Sequence, residues 1–416
     1  MDITVHPSLL SGEVTPPSSK SVFQRLVAGS LLSNGTSHIG NPAYCDDGLA
    51  SVGMAASLGA EIEEDESGLH IQGGLKVRNP ELSAGESGLG IRLFTPIAAL
   101  CGEAITINGS GTLAGRPMGI FEKVLPELGV QVKTNNGSIP LHLRGKLRGG
   151  SIQLDGSLTS QVISGLLMAL PLCGEDSRLE ILNPTSTPYL EMTLEVIESF
   201  GVHIEREDDW TFTIPGNQIY EPIDIDCDAD WSAAAFLLVA GAIAGEGRYQ
   251  VNNLDGVFTQ ADHAVTGPLL FSGTRMKNQS GDYQVVNHMI RGFEFDATDC
   301  PDLFPPLAAL AAFADKPSII TGVNRLVHKE SNRAKAIEEE FGAAGIPVAL
   351  EGDRMIITPA DVVPCSFNSR GDHRMAMAGA LLAIGGAPIL IKNADAVSKS
   401  YPSFFDDLIG LGAEMG

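Results

Sequence analysis

The sequence predicts a mixed α/β (α+β) fold of two similar lobes, each made of three repeated α/β units. The main observation is a short pattern in which a helical run ends in glycine and a strand opens just after it. It appears as Leu58-Gly59-Ala60-Glu61-Ile62, Leu128-Gly129-Val130-Gln131-Val132 and Phe200-Gly201-Val202-His203-Ile204. It returns as Ser272-Gly273-Thr274-Arg275-Met276, Ala344-Gly345-Ile346-Pro347-Val348 and Leu411-Gly412-Ala413-Glu414-Met415. The glycines are separated by 70, 72, 72, 72 and 67 residues, too regular for chance. The second observation is that each of the first five leads into a polar turn and another short strand, such as Gly68-Leu69-His70-Ile71 after Glu63-Glu64-Asp65-Glu66. The third is length, since 416 residues allow two or three domains at ~150 residues each. A period near 70 exceeds that of common solenoids, so two groups of three units, with a ligand cleft between the lobes, is the simplest arrangement.

Each element has a local cause. A glycine closing a helix takes the left-handed conformation that other residues avoid. After Ser18-Ser19-Lys20-Ser21, apolar Val22, Phe23, Leu26, Val27 and Leu31 keep helical spacing until Asn34-Gly35. A second helix spans about 185–200, led by Ser186-Thr187-Pro188. Apolar runs at 162–170 and 375–384 predict two more, both buried.

Composition narrows the function. The chain is 44% hydrophobic and 19% charged, with 27 Lys+Arg against 51 Asp+Glu and a formal charge of −24, which repels nucleic acid and anionic membranes. No apolar run reaches the ~20 residues of a membrane span, and Met1-Asp2-Ile3-Thr4-Val5 has no targeting character, so a soluble cytoplasmic protein is expected. The six cysteines form no Cys-x-x-Cys pair and read as reduced thiols without a zinc or disulfide framework. Small anionic ligands stay possible, because a few cations gathered in a cleft reverse the local potential.

The scarce cations sit in recognisable places. Ser19-Lys20-Ser21-Val22-Phe23-Gln24-Arg25 puts Lys20, Ser21 and Arg25 on one side of a helix start, where unpaired N–H groups and the macrodipole favour a phosphate. Taken alone, it fits a capped surface helix as well. Gly85-Glu86-Ser87-Gly88-Leu89-Gly90-Ile91-Arg92 suits backbone approach to an oxyanion, or merely a tight connection. Arg116, in the glycine-rich loop 109–118, suits a carboxylate or phosphate clamp, or is a lone exposed arginine. Asp155-Gly156-Ser157-Leu158-Thr159-Ser160-Gln161 has more donors than a helix cap needs. In Val327-His328-Lys329-Glu330-Ser331-Asn332-Arg333, Glu330 stands where a proton has to move, or forms a plain i,i+3 pair with Arg333. Gly371-Asp372-His373-Arg374 caps a buried helix, and Lys399 completes the set.

In this order, Ser-Lys-Ser-x-x-x-Arg, the Gly-x-x-Gly loop with its Arg, Arg-Pro, Asp-Gly-Ser-x-x-Ser-Gln, Ser-x-Pro-Tyr, Pro-Asp, Lys-Glu-x-x-Arg, Asp-His-Arg-Met-Ala and the late Lys resemble the enolpyruvyl transferase family. They resemble most its members acting on shikimate 3-phosphate. The resemblance covers residues 19–402. It implies two lobes of three βαβαββ units in an inside-out prism with an interdomain active site, residues 1–18 plus 229–416 forming one lobe and 19–228 the other. It implies that Lys20, Ser21, Arg25, Thr159, Ser160, Gln161, Ser186, Tyr189, Asp302 and Lys329 hold shikimate 3-phosphate. Phosphoenolpyruvate falls to Lys20, Gly88, Arg116, Gln161, Arg333, Arg374 and Lys399. Asp302, Glu330 and Lys20 are implied as the catalytic groups: Asp302 helps take the proton of the attacking 5-hydroxyl, and Glu330 protonates the methylene carbon of phosphoenolpyruvate. No metal, organic cofactor or protein partner is implied, and a monomer is expected.

The sequence departs from the family in two places. It reads Gly-Glu-Ser-Gly-Leu where many members have Gly-Asn-Ala-Gly-Thr, and Lys-Glu-Ser-Asn-Arg for Lys-Glu-Thr-Asp-Arg. A carboxylate at Glu86 opposes an anion unless it is paired, so Glu86 and Leu89 are left out of the expected site. Two alternatives stand beside this reading. The sister transferase acting on UDP-N-acetylglucosamine typically carries Lys-Asn and a loop cysteine, whereas here Lys20-Ser21 occurs and the loop 109–116 lacks Cys. A repeat-built binding protein without catalysis is the other, against which intact Lys20, Asp302, Glu330 and Lys399 speak.

Overall fold

The six recurring glycines all adopt positive φ, between +77° at Gly201 and +134° at Gly59, as a left-handed helix-to-strand turn demands. They belong to a computed structural model that describes residues 1–157, 159–327 and 329–416. The chain divides into two compact units, Ser18–Asp228 and Met1–Pro17 with Ala229–Gly416.

In the unit Ser18–Asp228 the helices are α1 (Lys20–Leu32), α2 (Asp46–Leu58), α3 (Gly88–Ala99), α4 (Phe121–Glu127), α5 (Gln161–Ala169) and α6 (Thr187–Ser199). One sheet shows the plan. Glu81–Ser83 runs parallel to Ile105–Asn108 (Glu81 opposite Thr106), which is antiparallel to Ser138–Arg144 (Ile105 opposite Leu143). Gln131–Asn135 closes the edge in a hairpin with Ser138–Arg144. Strand, helix, strand, helix, strand, strand is therefore one repeat, with α3 and α4 as its helices. The other two sheets of this unit keep the same order, and in one of them Asp224–Asp226 supplies the parallel strand beside Thr36–Gly40.

The other unit repeats the plan with α7 (Trp231–Ala244), α8 (Thr266–Phe271), α9 (Phe304–Ala312), α10 (Arg333–Ala343), α11 (His373–Gly385) and α12 (Phe404–Gly410). Leu10–Val14, from the N-terminal segment, lies parallel to Gly245–Val251, and Ile3–Val5 is antiparallel to Ile389–Lys392.

The first helix of each repeat is the buried one. Every residue of α3 and α9 is buried, and α1, α5, α7 and α11 are nearly so, whereas α6 and α10 keep exposed polar faces. A helix apolar on all sides belongs inside, so within each unit the inner helices pack together and the sheets lie around them. A side chain at Gly165 in α5 would strike the backbone of α3 at Arg92 and Leu93. Such close packing brings α3 and α5 together; motif residues open the inner α1, α3, α5 and α11, and others open the outer α6 and α10. Among the described residues no helix is long and apolar enough to cross a membrane.

Candidate active site

In the unit Ser18–Asp228, two arginines gather the motif residues. Arg25 is 1% exposed and makes four hydrogen bonds within the chain. Nε donates to Thr193 Oγ1 at 2.8 Å, Nη1 to the Ser21 carbonyl at 2.7 Å, and Nη2 to Ser164 Oγ at 3.3 Å and the Tyr189 carbonyl at 3.2 Å. These bonds fasten α1 to α5 and α6, so Ser21, Arg25 and Tyr189 are brought together. Burial pushes the Arg25 guanidinium down to about 10. Ser186, just before α6, has φ +54°, and its carbonyl accepts the Tyr189 N–H at 3.1 Å.

Arg92 joins the remaining elements. Its Nη1 donates to Gln161 Oε1 at 2.8 Å and the Gly88 carbonyl at 3.1 Å, and Nη2 to the Pro117 carbonyl at 3.2 Å. A side chain at Gly88 would collide with the Arg116 guanidinium, so Gly88 and Arg116 are direct neighbours. Thr159 Oγ1 accepts the Gln161 N–H at 3.1 Å, and Ser160 is the residue just before α5. Lys20 opens α1 under the Ser19 cap, and its Nζ meets Asp47 Oδ2 at 2.9 Å. Gln24 Nε2 then donates to the Asp47 carbonyl at 2.6 Å and to Ser87 Oγ, the cap of α3, at 2.8 Å.

In the other unit the cluster is built from ion pairs. Arg333 opens α10, has no exposed side-chain surface, and donates Nη1 to Asp302 at 2.8 Å, Nη2 to Glu330 at 2.7 Å and Nε to Asp372 at 2.9 Å. The pair with Glu330 is thus one arm of a hub. Asp302 stands in the turn Pro301–Leu303 ahead of α9, with Lys329 Nζ at 3.3 Å and Arg374 Nη2 at 3.2 Å. Asp372 caps α11 by accepting the Arg374 N–H at 3.0 Å, and Lys399 Nζ donates to the Gly371 carbonyl at 2.7 Å. Burial alone would raise the Asp302 pKa, but Arg374, Lys329 and Arg333 outweigh it and hold the carboxyl well below the usual carboxylate range. Burial lowers Lys329. Burial also acts against Arg333, but Asp372, Glu330 and Asp302 overcome it and push that guanidinium up.

These contacts bring together Ser21, Arg25 and Tyr189, then Gly88, Arg116 and Gln161, in one unit, and Asp302, Lys329, Glu330, Arg333 and Arg374 in the other; Ser160 and Ser186 stand beside them at the starts of α5 and α6. Leu158 and His328, members of two of the motifs, lie outside the described residues. Several participants escape sequence reasoning. Asp47 has a signal, since Asp46-Asp47 opens a helix, but its pairing with Lys20 is 27 residues away. Arg92 stands in its motif with nothing local to show its role. Glu86, outside the expected site, uses Oε2 to accept both the N–H and the hydroxyl of Thr112 at 2.8 and 2.9 Å. Asp262, a buried carboxylate whose charge interacts with Asp302 and Arg374, gives no local sign.

A family model described as EPSP synthase (3-phosphoshikimate 1-carboxyvinyltransferase) matches residues 5–408. The 3-phosphoshikimate 1-carboxyvinyltransferase of Clostridium kluyveri is 35% identical over 420 residues, covering 99% of this chain and 98% of that protein. Its counterpart in Aeropyrum pernix is 33% identical over 415 residues, covering 99% and 96%. Among solved structures, EPSP synthase from Acinetobacter baumannii shares the fold with TM-score 0.82 at 24% identity, covering 100% of this chain and 99% of that one. The enolpyruvyl transferase NikO from Streptomyces tendae shares it at 0.80 and 18% identity, covering 100% and 98%. The two-lobe fold and the motif order found in the sequence therefore agree with full-length likeness, and the chain belongs to the EPSP synthase (3-phosphoshikimate 1-carboxyvinyltransferase) family.

Proposed function

We infer that this chain transfers the enolpyruvyl group of phosphoenolpyruvate to the 5-hydroxyl of shikimate 3-phosphate, releasing phosphate, as a transferase of the shikimate pathway. The observation that carries the reading is the gathering of buried cations at helix starts in a strongly acidic chain. Both substrates carry several negative charges, and fixed cations with helix N-termini offset their repulsion without reorganising.

Shikimate 3-phosphate is held by Lys20, Ser21, Arg25, Thr159, Ser160, Gln161, Ser186 and Tyr189, with Asp302 and Lys329. Phosphoenolpyruvate is held by Lys20, Gly88, Arg116, Gln161, Arg333, Arg374 and Lys399. Arg25 and Arg333 each make four hydrogen bonds within the chain, and each acts chiefly through its charge and by fixing its neighbours. Asp302, with three cations upon it, is a poor base in the free protein. Anions that draw Arg374 and Lys329 toward themselves raise its basicity when the 5-hydroxyl has to lose its proton. Glu330, ion-paired with Arg333 in the free protein, first takes up a proton as the anions bind. It passes that proton to the methylene carbon while the 5-oxygen bonds to C2 and gives its own proton to Asp302. The tetrahedral phospho-ketal then expels phosphate as the methyl group returns a proton, leaving the enolpyruvyl ether.

Every residue invoked comes from one chain, so a monomer suffices, and the six cysteines stand outside any disulfide, which suits a reducing compartment such as the cytoplasm. Mixing the protein with shikimate 3-phosphate and phosphoenolpyruvate should release phosphate and yield the ether, identified by mass. Phosphate release with UDP-N-acetylglucosamine instead, and none with shikimate 3-phosphate, would replace this reading by the sister activity.

A further inference from the structure

Glu86 is where the glycine-rich loop departs from its family pattern, and its surroundings give it a task. Its carboxylate Oε2 accepts from the Thr112 N–H at 2.8 Å and from Thr112 Oγ1 at 2.9 Å. Thr112 lies in the single turn Gly111–Gly115, and Arg116 is the next residue. Gly111 has φ +53°, and a side chain there would run into the Glu86 carboxylate, so glycine is needed both for the turn and for the approach. The Ser110 N–H donates to the Gly85 carbonyl at 2.8 Å and the Ala84 N–H to the Asn108 carbonyl at 2.9 Å, which ties the base of the loop to the segment before Glu86. Leu113 is fully buried beneath the turn. At the far end, Arg92 Nη2 holds the Pro117 carbonyl at 3.2 Å. The segment 109–117 is thus fastened on either side of Arg116, which is 6% exposed and lies against Gly88.

We propose that Glu86 is a positioning residue for phosphoenolpyruvate: it fixes the turn Gly111–Gly115 through Thr112, so that the Arg116 guanidinium stands beside the Gly88 backbone. The proposal rests on the reading that Arg116 binds phosphoenolpyruvate. The two donors from Thr112 also offset the negative charge of Glu86, so that it opposes the nearby anion less than a bare carboxylate would. An acceptor oxygen at the reach of a glutamate is the requirement, and Glu86→Gln keeps one.

The test is steady-state kinetics of phosphate release by the full chain, with each substrate varied in turn, for Glu86→Ala, Glu86→Gln, Arg116→Ala and the double variant. Glu86→Ala should raise the KM for phosphoenolpyruvate about tenfold while leaving kcat and the KM for shikimate 3-phosphate near their starting values. Glu86→Gln should recover most of the loss, to within about threefold. Adding Glu86→Ala to Arg116→Ala should change little, because the loop then has nothing to present. General loosening of the fold would move kcat and both KM values together, and that result overturns the proposal. So does an unchanged KM in Glu86→Ala beside a raised one in Arg116→Ala. If Arg116→Ala itself leaves the phosphoenolpyruvate KM unchanged, the assignment of Arg116 falls, and the inference with it.

Discussion

Arg25 and Arg333 each sit near the start of a helix, both almost without exposed surface, and their environments act on them in opposite directions. Arg25 donates to hydroxyls and carbonyls, and its pKa falls to about 10. Arg333 meets Asp302, Glu330 and Asp372, and its pKa rises. The bonds to Arg25 come from neutral groups, whereas the charge of Arg333 is matched by carboxylates of its own chain; in the function proposed above, a substrate anion answers Arg25. The Arg333 unit thus gathers Asp302, Glu330 and Asp372 into one set of ion pairs.

The sharpest way to break this contrast is Glu330→Gln. If the ion-paired unit carries the proton traffic, this isosteric change should lower kcat by about 10²–10⁴ while both KM values stay within about twofold. Turnover near the starting value would move the acid role elsewhere. A smaller effect is expected from Arg25→Ala, which removes the unanswered charge. The KM for shikimate 3-phosphate should rise about tenfold or more, and that for phosphoenolpyruvate under about threefold. The reverse order would mean that the two anion pockets are assigned the wrong way round.

The smallest effect concerns Asp262, a buried carboxylate on the turn Ala261–Val265 that accepts from the Ser232 hydroxyl. Burial, then Asp302, push its pKa up to about 7, against the pull of Arg374 and the Ser232 bond. Folded protein thus keeps this proton up to about pH 7, while unfolded chain gives it up near pH 4. Its contribution to stability is complete below about pH 4 and is lost as pH rises through about 7. Asp262→Asn should therefore gain Tm relative to the parent on going from about pH 5 to about pH 8, by roughly 5 °C, in a thermal melt. Parallel Tm curves would show that Asp262 does not titrate in this range.

What the sequence shows and what it hides have physical reasons. The repeat is legible because each helix-to-strand turn needs a left-handed residue, and Gly59, Gly129, Gly201, Gly273, Gly345 and Gly412 all supply one. Lys20, Arg333 and Arg374 are legible because helix starts have local signatures. Long-range pairing has none. Nothing near Glu86 announces Thr112, which is 26 residues away, and nothing near Arg333 announces Asp302 at 31 or Asp372 at 39. The same limit explains Glu86: an unhelpful charge in isolation, it is paired once the loop is folded.

The division of the chain has a further consequence. The Ser19 N–H donates to the Asp228 carbonyl at 2.6 Å within one unit, and the Asp230 N–H to the Pro17 carbonyl at 2.8 Å within the other. Each half thus has its own severed ends already clasped, in the manner of a domain inserted whole into a host. Cutting the polypeptide at those two crossings, and splicing Pro17 directly to Ala229, leaves two continuous chains whose strand order is undisturbed. The connectivity is that of a guest carried by a host.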